Sequence, residues 1–281
     1  MKYGLVPAEV MPESYAANNT SRMSQLIALK LREYGLKLRD MAAKGSKKDA
    51  LKKEKTQMLA ICLGEPPTEF TWTRKDANGK PVETKKFTPL SFYQTYIGAD
   101  LKNNYLMFMN DPSRPYHKTY TIDLDPAPPR HSYDGAQWTY LNLPMEEIKA
   151  MAAASIKDST MMYMSCDVNK FINPKTGVES LQNYDYGSLF NTTFPMNKAD
   201  RIRTFASASS HAMTLMAVDI AADGKFNKWM VENSWGATSG YQGHLIMTDE
   251  WFDEYMFRLV VEKRFVPAAT LKLFEQKPTL L

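Results

Sequence analysis

Two strand-like runs on either side of Asp223-Gly224 constrain this chain more than any other feature. His211–Ile220 is rich in Met, Thr, Leu and Val, and Phe226–Glu232 reads as its return strand. Asp-Gly between such runs signals a hairpin, because the turn that matches strand twist needs backbone conformations these two residues tolerate. With the turn centred near residues 223 and 224, Asn233 should lie opposite about residue 214. His211 is then some three residues further along the neighbouring strand, a gap that a bulge or a longer loop can close. His211 and Asn233 are therefore expected at the same end of one antiparallel pair. Trp235 follows closely enough to lie over them and keep water from an amide–imidazole hydrogen bond. An Asn carbonyl that accepts from one imidazole nitrogen fixes the tautomer and frees the other nitrogen to face a thiol. The competing interpretation is a buried histidine bonded to a structural asparagine. The flanking Ser234-Trp235-Gly236 favours the catalytic one.

The rest of the chain is that of a globular protein. At 281 residues it has material for one large domain or two small ones, and its 44% hydrophobic and 23% charged content is ordinary. Net charge is a mild +4, but it is uneven. Lys30 to Lys55 holds ten basic residues against four acids, a local surplus of six that suits a solvated helix face or a polyanion. Cys62 and Cys166 are the two cysteines, too few for a disulfide framework and without zinc-type spacing. No window approaches about 20 uninterrupted apolar residues, and the opening Tyr3–Val6 is too short for a signal peptide. No membrane association is expected, and a reducing, cytoplasmic setting is the default.

In chain order, Asn19-Thr20-Ser21 offers caps for an amphipathic helix running to about Ala43, with Met23, Ile27, Leu31, Tyr34, Leu38 and Met41 on one face. Gly45-Ser46 breaks it, and Asp49 can cap a second helix through Met58 to Cys62. Phe70–Thr73 and Lys85–Phe87 read as strands around Asp76-Ala77-Asn78-Gly79. Pro89 opens a short helix and Tyr105–Met109 is a buried strand. Pro112 to Arg130 is a Pro- and Tyr-rich loop with a strand at Thr119–Leu124. A helix is expected from Met145 to about Lys157 and a strand over Met161–Cys166. Asp185 to Asp200 looks irregular, with Asn197-Lys198 entering a short helix toward Phe205. Helices dominate the first third and strands the last, the pattern of an α+β protein.

Longer stretches carry a resemblance. Lys2-Tyr3-Gly4-Leu5-Val6-Pro7, Met11-Pro12-Glu13-Ser14-Tyr15, Cys62 to Trp72, Ala153 to Asp158, Cys166-Asp167-Val168 and Met247 to Tyr255 join Ser210 to Thr214 and Val231 to Gly236 in resembling the bleomycin hydrolase and aminopeptidase C family. That family is the cytosolic branch of the papain-like cysteine peptidases, and the resemblance covers essentially the whole chain. It implies an α+β papain-like fold and hydrolysis of peptide bonds at N-termini through a Cys-His-Asn mechanism. His211 would be the general acid/base and Asn233 its orienter. No cofactor and no metal are implied. Peptide substrates are, with a hexameric homo-oligomer as assembly and nucleic acid as an occasional partner of the basic region.

The nucleophile is what the text lacks. The family places its cysteine in a Gln…Gly-x-Cys-Trp context on a helix of an N-terminal lobe, and no such segment occurs here. Cys62 lies 149 residues before His211, inside the spacing of roughly 130–150 seen in papain-like enzymes. Its context, Leu59 to Gly64, lacks the Cys-Trp helix start whose dipole would favour a thiolate. Cys166 sits in the middle of a strand. Both are expected in the core. The family's C-terminal arm, which blocks longer substrates, is not reached by Leu281, so exopeptidase selectivity is open. Gly236, Gly240 and Gly243 fit a turn beside the site rather than a phosphate loop. His117, His131 and His244 have no metal-ligand spacing.

The expected organisation is a remnant of the N-terminal lobe over 1–18, a helical insertion with a hairpin over 19–160, and a β-rich lobe with the site over 161–281. The papain-like fold would thus be incomplete and the chain inactive alone. A non-catalytic binding or assembly protein that retains the peptidase scaffold is the alternative.

Overall fold

The computed structural model describes residues 3–44, 49–122 and 138–281. The expected break at Gly45-Ser46, Lys47, Lys48, His131, Lys2 of the first motif and the loop from 123 to 130 lie outside them. The chain parts into two compact units, Met1–Leu101 and Lys102–Leu281.

In the first unit, a short helix α1 (Tyr15–Asn18) precedes α2 (Thr20–Lys44) and α3 (Asp49–Leu63), which pack as the expected helical hairpin. The apolar stripe of α2 is only partly covered: Tyr34 is buried, but Leu31 is exposed. Glu33 accepts ion pairs from Lys30 and Lys37 at 2.9 and 2.7 Å, so part of the basic surplus is locally matched. Strands β1 (Phe70–Lys75) and β2 (Pro81–Phe87) form the predicted hairpin, with Phe70 opposite Phe87. In its turn, Asp76 Oδ1 accepts from the backbone N–H groups of Asn78 and Lys80. Helix α4 (Pro89–Tyr96) starts with Pro after Thr88, whose side chain and that of Ser91 form a reciprocal capping box. Its Phe92 packs against Phe70, Trp72 and Phe87 in tilted and edge-on contacts, each worth about 1 kcal/mol beyond area burial.

Helix α5 (Leu101–Asn104) lies where the units divide. Then come β3 (Tyr105–Met109), β4 (Lys118–Ile122), β5 (Trp138–Asn142), α6 (Met145–Lys157), β6 (Met162–Cys166), β7 (Ile172–Asn173), β8 (Val178–Glu179), α7 (Tyr186–Phe190), α8 (Lys198–Arg203), β9 (His211–Ile220), β10 (Phe226–Glu232), β11 (His244–Thr248), α9 (Asp249–Tyr255), β12 (Met256–Glu262), α10 (Ala268–Lys272) and β13 (Thr279–Leu280). The strands form one sheet in the order β13-β4-β5-β3-β12-β6-β9-β10-β11-β8-β7. Helix α6 begins after Pro144 with Glu146 and Glu147 in its first turn, and buries Ile148, Met151, Ala152 and Ser155 at the three- and four-residue steps of one face. That face joins Leu215, Trp229, Val231, Phe252 and Leu259 in the main core.

The division into compact units falls between Leu101 and Lys102. β3 pairs with β12 and β5 with β3, so residues after 101 belong to the same sheet as the last third. Pairing across more than a hundred residues leaves no local trace in sequence. The segment from Asp185, expected to be irregular, holds α7, whose start is capped by Asp185 accepting from Ser188 N–H at 3.0 Å. It ends after one turn because Asn191 takes a left-handed conformation.

The cations of α8 close the far end of α9. Lys198 Nζ donates to the carbonyls of Asp253 and Met256 at 2.8 and 2.6 Å, and Arg201 pairs with the Glu254 carboxylate. Both side chains satisfy orphan carbonyls there and Arg201 complements the helix dipole, whereas burial brings the Lys198 amine down to about 7, so that it is only partly charged at neutral pH. No helix among the described residues is long and apolar enough to cross a membrane.

Candidate active site

The hairpin of β9 and β10 closes as the sequence predicts. Lys225 O accepts from Ala221 N–H at 2.8 Å, Asp223 Oδ1 accepts from Lys225 N–H, and Gly224 takes φ 88°. The register between them shifts twice. Asn227 is extra in β10 and Met216 is extra in β9, so the ladder ends with Glu232 opposite Thr214. Extending it by one step puts Asn233 opposite Met213 rather than residue 214. The difference decides the site. Side chains alternate across a strand, so residues 211 and 213 share a face while 214 points the other way. The bulge at Met216 thus brings Asn233 to the face that carries His211.

There His211 Nε2 lies 2.8 Å from Asn233 Oδ1. The protonation follows from a second contact. Asn233 Oδ1 also accepts from the Ser234 backbone N–H at 2.8 Å, and a backbone N–H can only donate. The shared atom is therefore oxygen, and Nε2 must carry the hydrogen facing it. In the neutral ring, Nδ1 then holds the lone pair, and the described residues give it no hydrogen-bond partner. Trp235 stacks on the imidazole with centroids 5.3 Å apart and planes 29° from parallel. Asn233 is tied on its other side by donating its backbone N–H to Gly243 O at 3.0 Å. Glycine is required in the following loop: a Cβ on Gly240 would lie 2.5 Å from His244 O. The loop serves the site's edge, as expected of Gly236, Gly240 and Gly243.

Neither cysteine completes a nucleophile site. Cys166 is the direct register partner of His211 on β6, yet it is wholly buried in the core. Burial above all pushes its thiol well above the ordinary range, with the neighbouring Glu179 and Asp167 carboxyls adding to the shift, so it is held as the inert thiol. Cys62 sits in the last turn of α3, opposite to the helix end whose dipole favours a thiolate. Of the other histidines, His117 Nε2 pairs with Glu147 Oε1 at 2.7 Å on the surface, and His244 Nδ1 lies 3.1 Å from Tyr241 O. Neither joins His211. Among the described residues, no group of three His, Cys, Asp or Glu could hold a metal ion.

Two features escaped the sequence reading. The carboxylate of Asp167 accepts from Ser207 Oγ at 2.8 Å and from Ser210 Oγ at 3.2 Å, the latter sharing its one hydrogen with Cys166 O at 3.3 Å, which ties the residue after β6 to those that precede His211. The serine-rich run from Ser207 to Ser210 was the available signal. Glu179 carried none: it occupies a two-residue strand between β7 and β11, is fully buried, and neither carboxyl oxygen has a hydrogen-bond partner among the described residues. Burial, helped by the Asp167 charge, raises its pKa to about 9, so it is protonated at neutral pH.

A histidine oriented by an asparagine beneath a tryptophan, on an α+β scaffold, is the arrangement of the papain-like peptidases. The sequence profile of the Peptidase C1-like family matches residues 1–281, and the chain belongs to that family. It is 38% identical over 294 residues to bleomycin hydrolase of Rattus norvegicus, covering all of this chain and 64% of that protein. It is 35% identical over 288 residues to aminopeptidase C of Lactococcus lactis subsp. lactis (strain IL1403), again covering 64% of the relative. The crystal structure of PepW from Lactobacillus rhamnosis HN001 superposes over 100% of this chain and 64% of its own, with TM-score 0.90 and 32% identity. The fold is therefore papain-like, and the chain spans 64% of the length of these relatives.

Proposed function

We infer that this chain is the histidine-bearing portion of a cysteine aminopeptidase of the bleomycin hydrolase type. The reading rests above all on the His211–Asn233 hydrogen bond under Trp235, in a chain of the Peptidase C1-like family. In the proposed reaction a cysteine thiol from a further part of the protein gives its proton to His211 Nδ1. The thiolate attacks the carbonyl carbon of the first peptide bond. His211 returns the proton to the leaving amine, and the acyl group remains on sulfur as a thioester. A water molecule, deprotonated by the same nitrogen, then releases the N-terminal residue and restores the thiol. Asn233 holds the ring in the tautomer that leaves Nδ1 free throughout.

The test compares two proteins with an aminoacyl fluorogenic substrate. The chain alone should show no thiol-dependent turnover. The chain fused behind the unmatched part of the Lactococcus aminopeptidase C should show turnover that iodoacetamide abolishes. Hydrolysis by the chain alone that disappears in Cys62→Ala or Cys166→Ala would overturn the assignment of both cysteines. A folded but inert fusion would favour the second reading, a binding or assembly protein on the peptidase scaffold. That reading draws on the unsuitability of both cysteines.

The same resemblance extends the proposal to peptide substrates, a cytoplasmic setting and a hexameric homo-oligomer. Nucleic-acid binding by the stretch from Lys30 to Lys55 is its outermost part. Salt-sensitive DNA binding should fall on charge reversal at Lys52 and Lys53, and binding that survives the reversal removes this role.

A further inference from the structure

We propose that Asp167 is the positioning residue for His211, its carboxylate holding the segment that delivers the imidazole to Asn233. The proposal rests on the reading of His211 and Asn233 as a working pair.

His211 is the first residue of β9, so its ring direction depends on how the chain enters the strand. From Thr204 to Ser210 the backbone belongs to no helix or strand. It turns at Phe205, whose φ is 57° and whose side chain is 91% exposed, so the turn is not anchored by packing of that ring. Ala206 and Ser207 donate their N–H groups back to Arg201 O at 2.8 and 3.2 Å, which secures only the start of the segment. Its remainder is secured from β6. Ser210 N–H donates to Cys166 O at 3.0 Å, and Ser209 Oγ donates to Ser165 Oγ at 2.8 Å. Asp167 adds the two hydroxyl bonds already described, reaching across the segment from Ser207 to Ser210 with its two oxygens.

The anchor is itself fixed. Asp167 N–H donates to Tyr255 O at the end of α9 at 3.0 Å, and the Asp167 side chain is 11% exposed, with Lys170 Nζ 3.9 Å from its carboxylate. A buried carboxylate that accepts from two hydroxyls is a strong, directional tether, because removing it would leave the buried Ser207 hydroxyl without an acceptor. Since Cys166 ends β6 in register with His211 at the start of β9, the residue that follows Cys166 lies beside the residue that precedes His211. The antiparallel geometry alone makes Asp167 the side chain best sited to control the entry.

The measurement is made on the full chain labelled with ¹⁵N-histidine, in which only four histidines contribute signals. The His211 resonances are assigned by their loss in His211→Gln. Wild type should show His211 as the Nε2–H tautomer at neutral pH, with a slowly exchanging Nε2–H proton. Asp167→Ala should convert that signature to a tautomer mixture and speed the exchange at least tenfold, while the His117 and His244 signals stay in place. Asp167→Asn, which keeps an acceptor and the same volume, should retain most of the wild-type signature. A merely structural role would lower stability without moving the tautomer. If Asp167→Ala does not fold, the double variant Ser207→Ala, Ser210→Ala removes the same two bonds and should give the same mixture. A wild-type signature in either folded variant overturns the proposal. Absence of the Nε2–H tautomer in wild type overturns the proposal together with the pairing of His211 and Asn233. An inert fusion protein with the tautomer effect intact would refute the peptidase reading alone.

Discussion

Glu179→Gln is expected to stabilise the protein by about 3 kcal/mol at pH 7 and to leave it unchanged at pH 4. The carboxyl is fully buried without hydrogen-bond partners among the described residues, and its pKa rises from 4.5 to about 9 on folding. The sign follows directly. Between these values the unfolded chain has released the proton and the folded chain has kept it, so folding takes up a proton and weakens as pH rises. Stability associated with this group is fully present below about 4.5, declines with pH, and is lost once pH passes about 9. At pH 7 the separation of 2.5 units from the unfolded value corresponds to about 3 kcal/mol at 1.36 kcal/mol per unit. Glutamine is neutral at every pH and nearly isosteric, so it removes the proton requirement without opening a cavity. Urea unfolding of both proteins at pH 4, 6 and 8 should give midpoints that diverge steadily. Parallel midpoints across that range would mean that Glu179 is ionised in the folded protein or reaches water.

In the fused, nucleophile-bearing protein, His211→Ala is expected to lower kcat about 10³-fold, or about 4 kcal/mol, with a smaller change in KM. In the proposed reaction the imidazole takes the thiol proton and hands it to the leaving amine. Asn233→Ala should cost less, about tenfold to a hundredfold, because it removes the orienter and leaves the base. Its pH profile should also change, since the ring would no longer be confined to the Nε2–H tautomer. Activity within a few-fold of wild type in His211→Ala would remove His211 from the mechanism, whatever the fold resembles. Equal losses in both variants would instead point to a site that acts as one unit.

The parts of the site legible in sequence were those that a hairpin brings together. His211 and Asn233 are 22 residues apart, joined by two strand patterns and an Asp-Gly turn, and the stacking tryptophan follows two residues after Asn233. The turn chemistry at Asp76 to Gly79, the proline-led starts of α4 and α6 and the Asn197 cap of α8 were equally local. Where the reading failed, the determinant lay elsewhere in the chain. β3 pairs with β12 between residues about 150 positions apart, and β5 joins the same sheet through β3. Leu31 shares its face of α2 with the buried Tyr34 yet is exposed, a difference that the periodicity of α2 does not carry. Helix α7 was missed because its signal, one Asp three residues before a Ser, is shorter than any helical period.

What the sequence by itself determined is the pairing of His211 with Asn233, the hairpin that carries it and the ancestry recorded in the motifs around it. Those depend on residue type and short-range spacing, which the backbone cannot override. The tertiary structure alone decided that Met216 bulges so that His211 and Asn233 share a face, and that the Asn233 oxygen is shared with Ser234 so that Nε2 bears the hydrogen. It also decided that Cys166, beside the histidine in register, is sealed in the core, and that Asp167 grips the entry to β9. Each of these turns on register, burial or a contact between strands distant in sequence. Such properties arise only when the sheet has formed.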